Sequence, residues 1–300
     1  MRVHVTGAAG FIGRHLVPRL EGAGWAISRA DRAVDVSDAR AVDRALERAA
    51  PDAVVHLAAV SSVAASEGDP ERTRRVNVEG TRALLAATAR RAPHARVLLI
   101  GSGQQYGTTR SGPTPFDESA PLRPDSTYAE TKAEAEQLGA EYAQRGLDVI
   151  RVRAFNHVGP GQSDAFVVSS FAKQIAEIEC GCRDPVLRVG NLDSVRDFLD
   201  VQDAVEAYAA LLHPALASGV YNVASGVGVR VGDVLEALLA LTPRRSEIEV
   251  EVDPARLRPT SYSVGDATRV RAATGWQPRV PLADTLARTL EAWRAELSAA

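Results

Sequence analysis

The sequence predicts an α/β protein built on a doubly wound parallel sheet, and three observations carry that expectation. Short apolar, β-branched runs alternate with Ala-, Leu- and Arg-rich stretches of helical period. A glycine-rich turn, Gly7-Ala8-Ala9-Gly10-Phe11-Ile12-Gly13, follows the first of those runs directly. The 300 residues, 45% of them hydrophobic, suffice for one large domain with a smaller appendage.

The elements follow in order. Residues 2–6 read as a strand, and 11–22 as a helix running through His15, Leu16 and Leu20. Strands are expected near 25–30, 53–57, 95–100 and 147–153, with helices near 38–50, 73–91 and 125–145 between them. After Arg153 the rhythm loosens. Prolines and glycines punctuate 159–161, 185, 190 and 254–259, and shorter helices are expected near 165–178, 203–213 and 230–241. Residues 1–155 are therefore expected to form the larger domain, completed by segments within 190–225, and 156–300 most of the smaller one.

A formal charge of −3 with no dense basic run leaves no electrostatic footprint for nucleic acid or a membrane surface. The chain enters a strand-like segment at once, and no apolar run approaches the ~20 residues of a spanning helix, so a cytoplasmic protein is expected. Small molecules and copies of the chain itself are the expected partners. Cys180 and Cys182 are the only cysteines, too close to bridge comfortably and too few for a four-ligand zinc site, so free thiols and no metal are expected. Lysine occurs only at Lys132 and Lys173 in a chain otherwise rich in arginine. A retained lysine points to a compact ammonium that a guanidinium does not replace.

Gly7, Gly10 and Gly13 sit between a strand and a helix, where they permit a tight turn and close backbone approach to a pyrophosphate at the helix N-terminus. Asp31 falls 24 residues after Gly7, at the end of the second strand, where an acid accepts ribose hydroxyls. This is a dinucleotide-binding, Rossmann-type signature. Asp31 favours NAD by repelling a 2′-phosphate, whereas Arg29 and Arg32 offer such a phosphate guanidinium partners; NADPH and NADH both remain open.

Tyr128-Ala129-Glu130-Thr131-Lys132 opens an amphipathic helix and places the phenol and the ammonium on one face. A free phenol, of pKa about 10, is a poor acid or base at neutral pH, and an ammonium one turn away is expected to bring it towards working range.

These residues, with His56-Leu57-Ala58-Ala59 and Asn77, resemble the extended short-chain dehydrogenase/reductases that act on nucleotide sugars, over nearly the whole chain. The resemblance implies Ser102 as hydrogen-bond donor to the reacting sugar oxygen, Tyr128 as the proton carrier and Lys132 on the nicotinamide ribose. It also implies that Asp35 and Val36 lie near the adenine together with Phe11, Ile12, Asp31 and Arg32 in the cofactor site, that Leu57, Ala58 and Ala59 line the cleft, and that homodimers form through a four-helix bundle.

The second half narrows this. Arg153 to Gln162, Phe166-Val167-Val168, Phe171 to Glu179, Val189 to Leu192, Arg196-Asp197-Phe198 and Asp253 to Pro259 are similar to the GDP-4-dehydro-6-deoxy-D-mannose reductases. By that resemblance Asn156 and Arg196 approach the substrate diphosphate, Val167, Val168 and Lys173 border the guanine, and Arg258 reaches the nucleotide. Lys173 also reads as a solvated side chain beside Phe171 and Ile175, and His157 as a packed histidine. Ser261 stands where these reductases usually carry an acid.

The stretch Gly101-Ser102-Gly103-Gln104-Gln105-Tyr106-Gly107 decides the reaction class. The 4,6-dehydratases carry a glutamate where Gln104 stands, and a neutral amide is no base. The 3,5-epimerase/reductases need a cysteine and a histidine where this chain has Gln104 and Phe166. Hydride transfer to a ketone remains, with Gly103 expected to leave room for the sugar and Tyr106 expected to pack. The expectation is reduction of the C4 ketone of a GDP-4-dehydro-6-deoxy-hexose by NADPH or NADH, giving GDP-D-rhamnose. The alternatives are GDP-6-deoxy-D-talose as product, a related heptose as substrate, a nucleotide-sugar 4-epimerase, and a non-catalytic nucleotide-sensing scaffold.

Overall fold

The computed structural model describes residues 1–30, 34–107 and 114–299. In chain order the first half comprises β1 (Arg2–Thr6), α1 (Phe11–Gly22), β2 (Ala26–Ala30), α2 (Ala39–Ala49), β3 (Ala53–His56), α3 (Val63–Gly68), α4 (Pro70–Arg74), a π-helical turn (Arg75–Glu79), α5 (Gly80–Arg91), β4 (Arg96–Ile100), a 3-10 turn (Gly103–Tyr106), α6 (Thr127–Gln144) and β5 (Val149–Ala154). The second half comprises β6 (Asn156–Val158), α7 (Val167–Glu179), β7 (Val186–Val189), β8 (Val195–Asp200), α8 (Val201–Leu211), β9 (Gly219–Val223), β10 (Gly228–Arg230), α9 (Val231–Leu239), β11 (Glu249–Val252), β12 (Tyr262–Ser263), α10 (Thr268–Thr274) and α11 (Leu282–Ser298).

Six strands form one parallel sheet in the order β2-β1-β3-β4-β5-β9. The chain steps to one side of β1 for β2 and to the other for β3, which makes the carboxyl end of β1 a switch point where such sheets bind ligands. One core layer packs Leu16 and Leu20 of α1 and Val205 and Tyr208 of α8 against Val3, Val5 and Ile150. The other packs Leu46, Leu84, Leu85 and Leu138 against Val54, Val97 and Val149. The inner strands β1, β3, β4 and β5 are buried on both faces, and their near-continuous apolar runs follow from that, whereas the edge strand β2 is partly exposed. A third core, with Phe171, Ile175, Leu235, Leu286 and Leu290, holds α7, α9 and α11 together. Around it β8 pairs antiparallel with β10 and parallel with β12 and β6, while β11 runs parallel to β7.

Two expectations change. The helix foreseen over 73–91 starts earlier, at Pro70 behind an Asp69 cap that accepts from the Arg72 N–H, and carries a π turn over Arg75–Glu79 before α5. The long α11 was not foreseen, although Leu282, Leu286, Leu290, Trp293 and Leu297 recur at helical spacing and pack on the third core. No helix among the described residues is long and apolar enough to cross a membrane.

Candidate active site

The glycine turn has the shape its sequence demands. Gly7 has a φ of +68°, and a Cβ there would stand 2.8 Å from the Ala58 nitrogen; at Gly13 it would stand 2.5 Å from the Gly7 oxygen. Gly10 caps α1 without any side-chain bond, and no acid occupies the first turn. The N-terminal N–H groups of α1 thus meet the switch point with no side-chain cap to satisfy them, and this donor set fits a dinucleotide diphosphate. Phe11 packs edge-on against His15, with ring centroids 5.5 Å apart, and Ile12 packs on the first core.

Leu57, Ala58 and Ala59, half-buried, leave β3 beside this turn, with the Ala58 N–H donating to the Thr6 hydroxyl at 3.3 Å. Asn77, buried in the π turn, accepts from the Val60 N–H at 2.8 Å and donates to the Val60 carbonyl and the Thr131 hydroxyl, each at 3.1 Å. One amide therefore staples the cleft loop to α6, a use typical of π turns at functional sites. His56 bonds the Thr6 and Thr81 hydroxyls, and burial brings its pKa down to about 3, so it is a neutral packing element. Asp35 accepts from the Ser37 N–H and hydroxyl, and Val36 is buried against Gly80. Asp31 and Arg32 lie outside the described residues, and Arg29 is ion-paired with Glu21 at 2.6 Å.

At the end of β4 the chain turns sharply. Ser102 caps the 3-10 turn, its hydroxyl accepting from the Gln104 N–H at 3.2 Å. The Tyr128 phenol, which α6 presents in its first turn below the Ser126 cap, stands within reach of this hydroxyl. Lys132, 8% exposed, donates from Nζ to the Ile100 carbonyl at 2.6 Å. Burial lowers its pKa to about 8. The expectation that Lys132 draws the phenol's pKa down is not met: burial pushes Tyr128 up, and only the Ser102 hydrogen bond opposes it. At neutral pH Tyr128 is a protonated phenol, fit to donate.

Sequence reasoning missed the residues that lock this corner. Gln105 is fully buried; its side chain accepts from the Ser102 N–H at 2.7 Å and donates to Glu136 Oε2 at 2.7 Å. Glu136 is in turn paired with Arg153 at 2.6 Å, both side chains below a tenth exposed. The signals were present as a Ser-x-x-Gln capping box and as the continuation of the Tyr128, Lys132 spacing to Glu136.

The remaining residues divide. Gln104 is exposed, while Gly103 does not open space on its Cβ side, because the Phe155 ring lies 2.9 Å from where a Cβ would stand. Tyr106 packs as expected, stacked on Phe116 and bonded to Asn222 and Arg153, and burial pushes its pKa up to about 12. His157 packs as well, with Nε2 2.6 Å from the Tyr208 hydroxyl and its pKa brought down to about 4 by burial.

Asn156 is anchored by a 2.9 Å bond to the Asp197 carbonyl, next to Arg196. Arg196, half-buried, donates to the Ser261 carbonyl at 2.9 Å and to its hydroxyl at 2.7 Å, so Ser261 positions this guanidinium without neutralising it. Val167 is exposed at the start of α7, but Val168 is 1% exposed and its side chain packs within the third core. Lys173 is also corrected. Its ammonium is committed to Asp164 at 2.6 Å, with Glu177 at 3.7 Å and the Trp293 ring nearby. Arg258 is exposed and donates to the Leu257 carbonyl at 2.8 Å. Cys180 and Cys182 are exposed free thiols.

A family model for the NAD dependent epimerase/dehydratase family matches residues 3–224. The chain belongs to that family. Within it, the chain is 36% identical to a GDP-6-deoxy-D-mannose reductase of Pseudomonas aeruginosa, over 99% of this chain and 98% of the relative. It is 33% identical to a UDP-glucose 4-epimerase of Mycolicibacterium smegmatis, over 98% and 99% of the two chains. Among solved structures, RMD from Pseudomonas aeruginosa complexed with NADPH superposes with a TM-score of 0.89 at 34% identity, covering 99% of this chain and all of that one. The family's NAD dependence accords with the uncapped start of α1 at the switch point.

Proposed function

We propose that this family member reduces the C4 ketone of a GDP-4-dehydro-6-deoxy-hexose, most simply GDP-4-dehydro-6-deoxy-D-mannose to GDP-D-rhamnose, with NADPH or NADH as reductant. The observation that carries the reading is a buried Tyr128 phenol, kept protonated by that burial and within reach of the Ser102 side chain, while the amide of Gln104 has no base to offer. Similarity to the Pseudomonas reductase supports the same substrate class.

When bound, the reduced nicotinamide supplies the hydride. Gly7, Gly10, Phe11, Ile12 and Gly13 would hold the cofactor's diphosphate at the start of α1, with Asp35 and Val36 serving the adenosine and Leu57, Ala58 and Ala59 the cleft. Tyr128 gives its proton to the oxygen at C4 as that oxygen gains charge, and Ser102 hydrogen-bonds the same oxygen. Lys132 spends one of its three donors on Ile100, leaving two for the ribose and a positive charge that steadies the tyrosinate once formed. Asn156 and Arg196 take the substrate diphosphate, a dianionic group suited to a guanidinium, and Val167 and Arg258 flank the nucleotide. The reading takes the enzyme as a cytoplasmic homodimer, and light scattering tests the assembly.

The test is to generate the 4-keto sugar with a separate dehydratase, add this protein with NADPH or NADH, and follow nicotinamide absorbance. Oxidation of either cofactor is expected, and its absence with both ends the reading. NMR of the product separates the rhamnose from the talose configuration. Interconversion of nucleotide sugars without net cofactor consumption would identify an epimerase instead.

A further inference from the structure

The turn that carries Ser102 and the helix that carries Tyr128 come from different elements, yet their hydroxyls must meet. What joins them is a buried side chain that touches neither reacting group. Gln105 Oε1 accepts from the Ser102 backbone N–H at 2.7 Å, and Gln105 Nε2 donates to Glu136 Oε2 at 2.7 Å. Glu136 stands four residues after Lys132 and eight after Tyr128, so it lies along the same face of α6.

The far end of this link is itself fixed. Arg153 on β5 donates to Glu136 through Nε at 2.9 Å and through a terminal nitrogen at 2.6 Å, and also to the Tyr106 hydroxyl at 2.8 Å. Tyr106 donates to Asn222 on β9 at 2.7 Å. The neighbouring chain is shaped around the amide as well. A Cβ at Gly101 would stand 2.5 Å from Gln105 Oε1, so glycine is what lets the amide reach back to Ser102. A capping box on a surface turn would need only its own backbone; this one is fully buried and spends its second hydrogen bond on another element.

We propose that Gln105 is a positioning residue, whose amide bridges the Ser102 backbone to the Glu136 carboxylate and thereby holds the Ser102 hydroxyl against the Tyr128 phenol. The proposal rests on the reading of Ser102 and Tyr128 as the groups that serve the ketone oxygen. Gln105 moves no proton and contacts no ligand.

Gln105→Met keeps the volume and loses both bonds. In ketone reduction it is expected to lower kcat about 10- to 100-fold while KM and cofactor affinity stay within about threefold, because misplacement by about an ångström costs rate on this scale. In a Ser102→Ala background the same substitution is expected to cost almost nothing further, since residues acting through one another are not additive. Leu238→Ala, fully buried in the third core and outside this network, serves as the structural control and should lower Tm with kcat unchanged. Gln105→Leu, of similar size and without hydrogen-bonding groups, is the second variant should Gln105→Met fold poorly, and the same pattern is expected of it.

Hydrogen exchange needs no substrate. In Gln105→Met the segments 101–107 and 127–136 should lose protection together, whereas the strands of the sheet keep theirs. Unchanged exchange in both segments, unchanged kcat, or a full additional loss in the Ser102→Ala background would each overturn the proposal. A wild-type enzyme that oxidises neither cofactor sinks the reductase reading alone, and the exchange experiment then still decides whether Gln105 couples the two segments.

Discussion

The ammonium nitrogen of Lys132 lies 2.6 Å from the carbonyl oxygen of Ile100, the last residue of β4. One side chain thus ties α6 to the strand that delivers Ser102 two residues later, and it does so with a buried positive charge. Its cost is readable. Burial brings the Lys132 pKa to about 8 in the fold, against 10.5 as its ordinary value, so between these the unfolded chain binds more protons than the native one. Stability contributed at this position therefore rises with pH across that window. Lys132→Met removes the titration, and the Tm difference between wild type and variant should move in favour of wild type from pH 8 to pH 10. A constant difference would contradict the lowering of the Lys132 pKa by burial.

Tyr128→Phe removes the proton donor and little else. Turnover should fall about 100- to 10,000-fold, the usual worth of a positioned acid, while cofactor binding followed by nicotinamide fluorescence stays near wild type. Wild-type turnover in this variant would dismiss Tyr128 as donor.

Arg196→Gln tests the diphosphate contact. A hydrogen bond to a charged group is worth about 1.5–3 kcal/mol, so KM for the GDP-sugar should rise about 10- to 100-fold with kcat and cofactor affinity little changed. An equal fall in kcat would instead place Arg196 near the reacting carbon.

His4, His56 and His157 are held neutral by burial, with pKa values near 4, 3 and 4. In the unfolded chain they titrate near 6.5, so as pH falls below that value the unfolded state takes up protons that the native state refuses. Each histidine removes up to about 1.4 kcal/mol per pH unit in this window. Urea midpoints measured at pH 7.5, 6.0 and 5.0 should fall progressively, before most carboxylates begin to protonate. A midpoint flat across this range would show that these rings are not desolvated.

The parallel sheet was legible because its inner strands are buried on both faces and so announce themselves as apolar runs, and the glycine turn because its close contacts admit no side chain. Tyr128 and Lys132 stood out by one spacing and one scarce residue type, whereas Ser102 was expected only from the family resemblance. Gln105 and Glu136 were not, because a glutamine in a turn and a glutamate in a helix look like solvated surface until the chain brings β4, α6 and β5 together. Lys173 misled for the converse reason: its rarity drew notice, but Asp164, nine residues earlier, claims its charge. Val168 misled by lying one position, or about a third of a helical turn, from the exposed Val167.

The pairing of β5 with β9 sets an order of events in the life of the chain. Residues 149–154 find their neighbour at 219–223, so the edge of β5 stays unsatisfied while the ribosome adds the whole intervening stretch. Synthesis at about 5–20 residues per second makes that an interval of seconds, long beside hairpin closure. From the time β5 leaves the ribosome until β9 follows it, the nascent chain carries a bare strand edge open to chaperones or to another copy of itself.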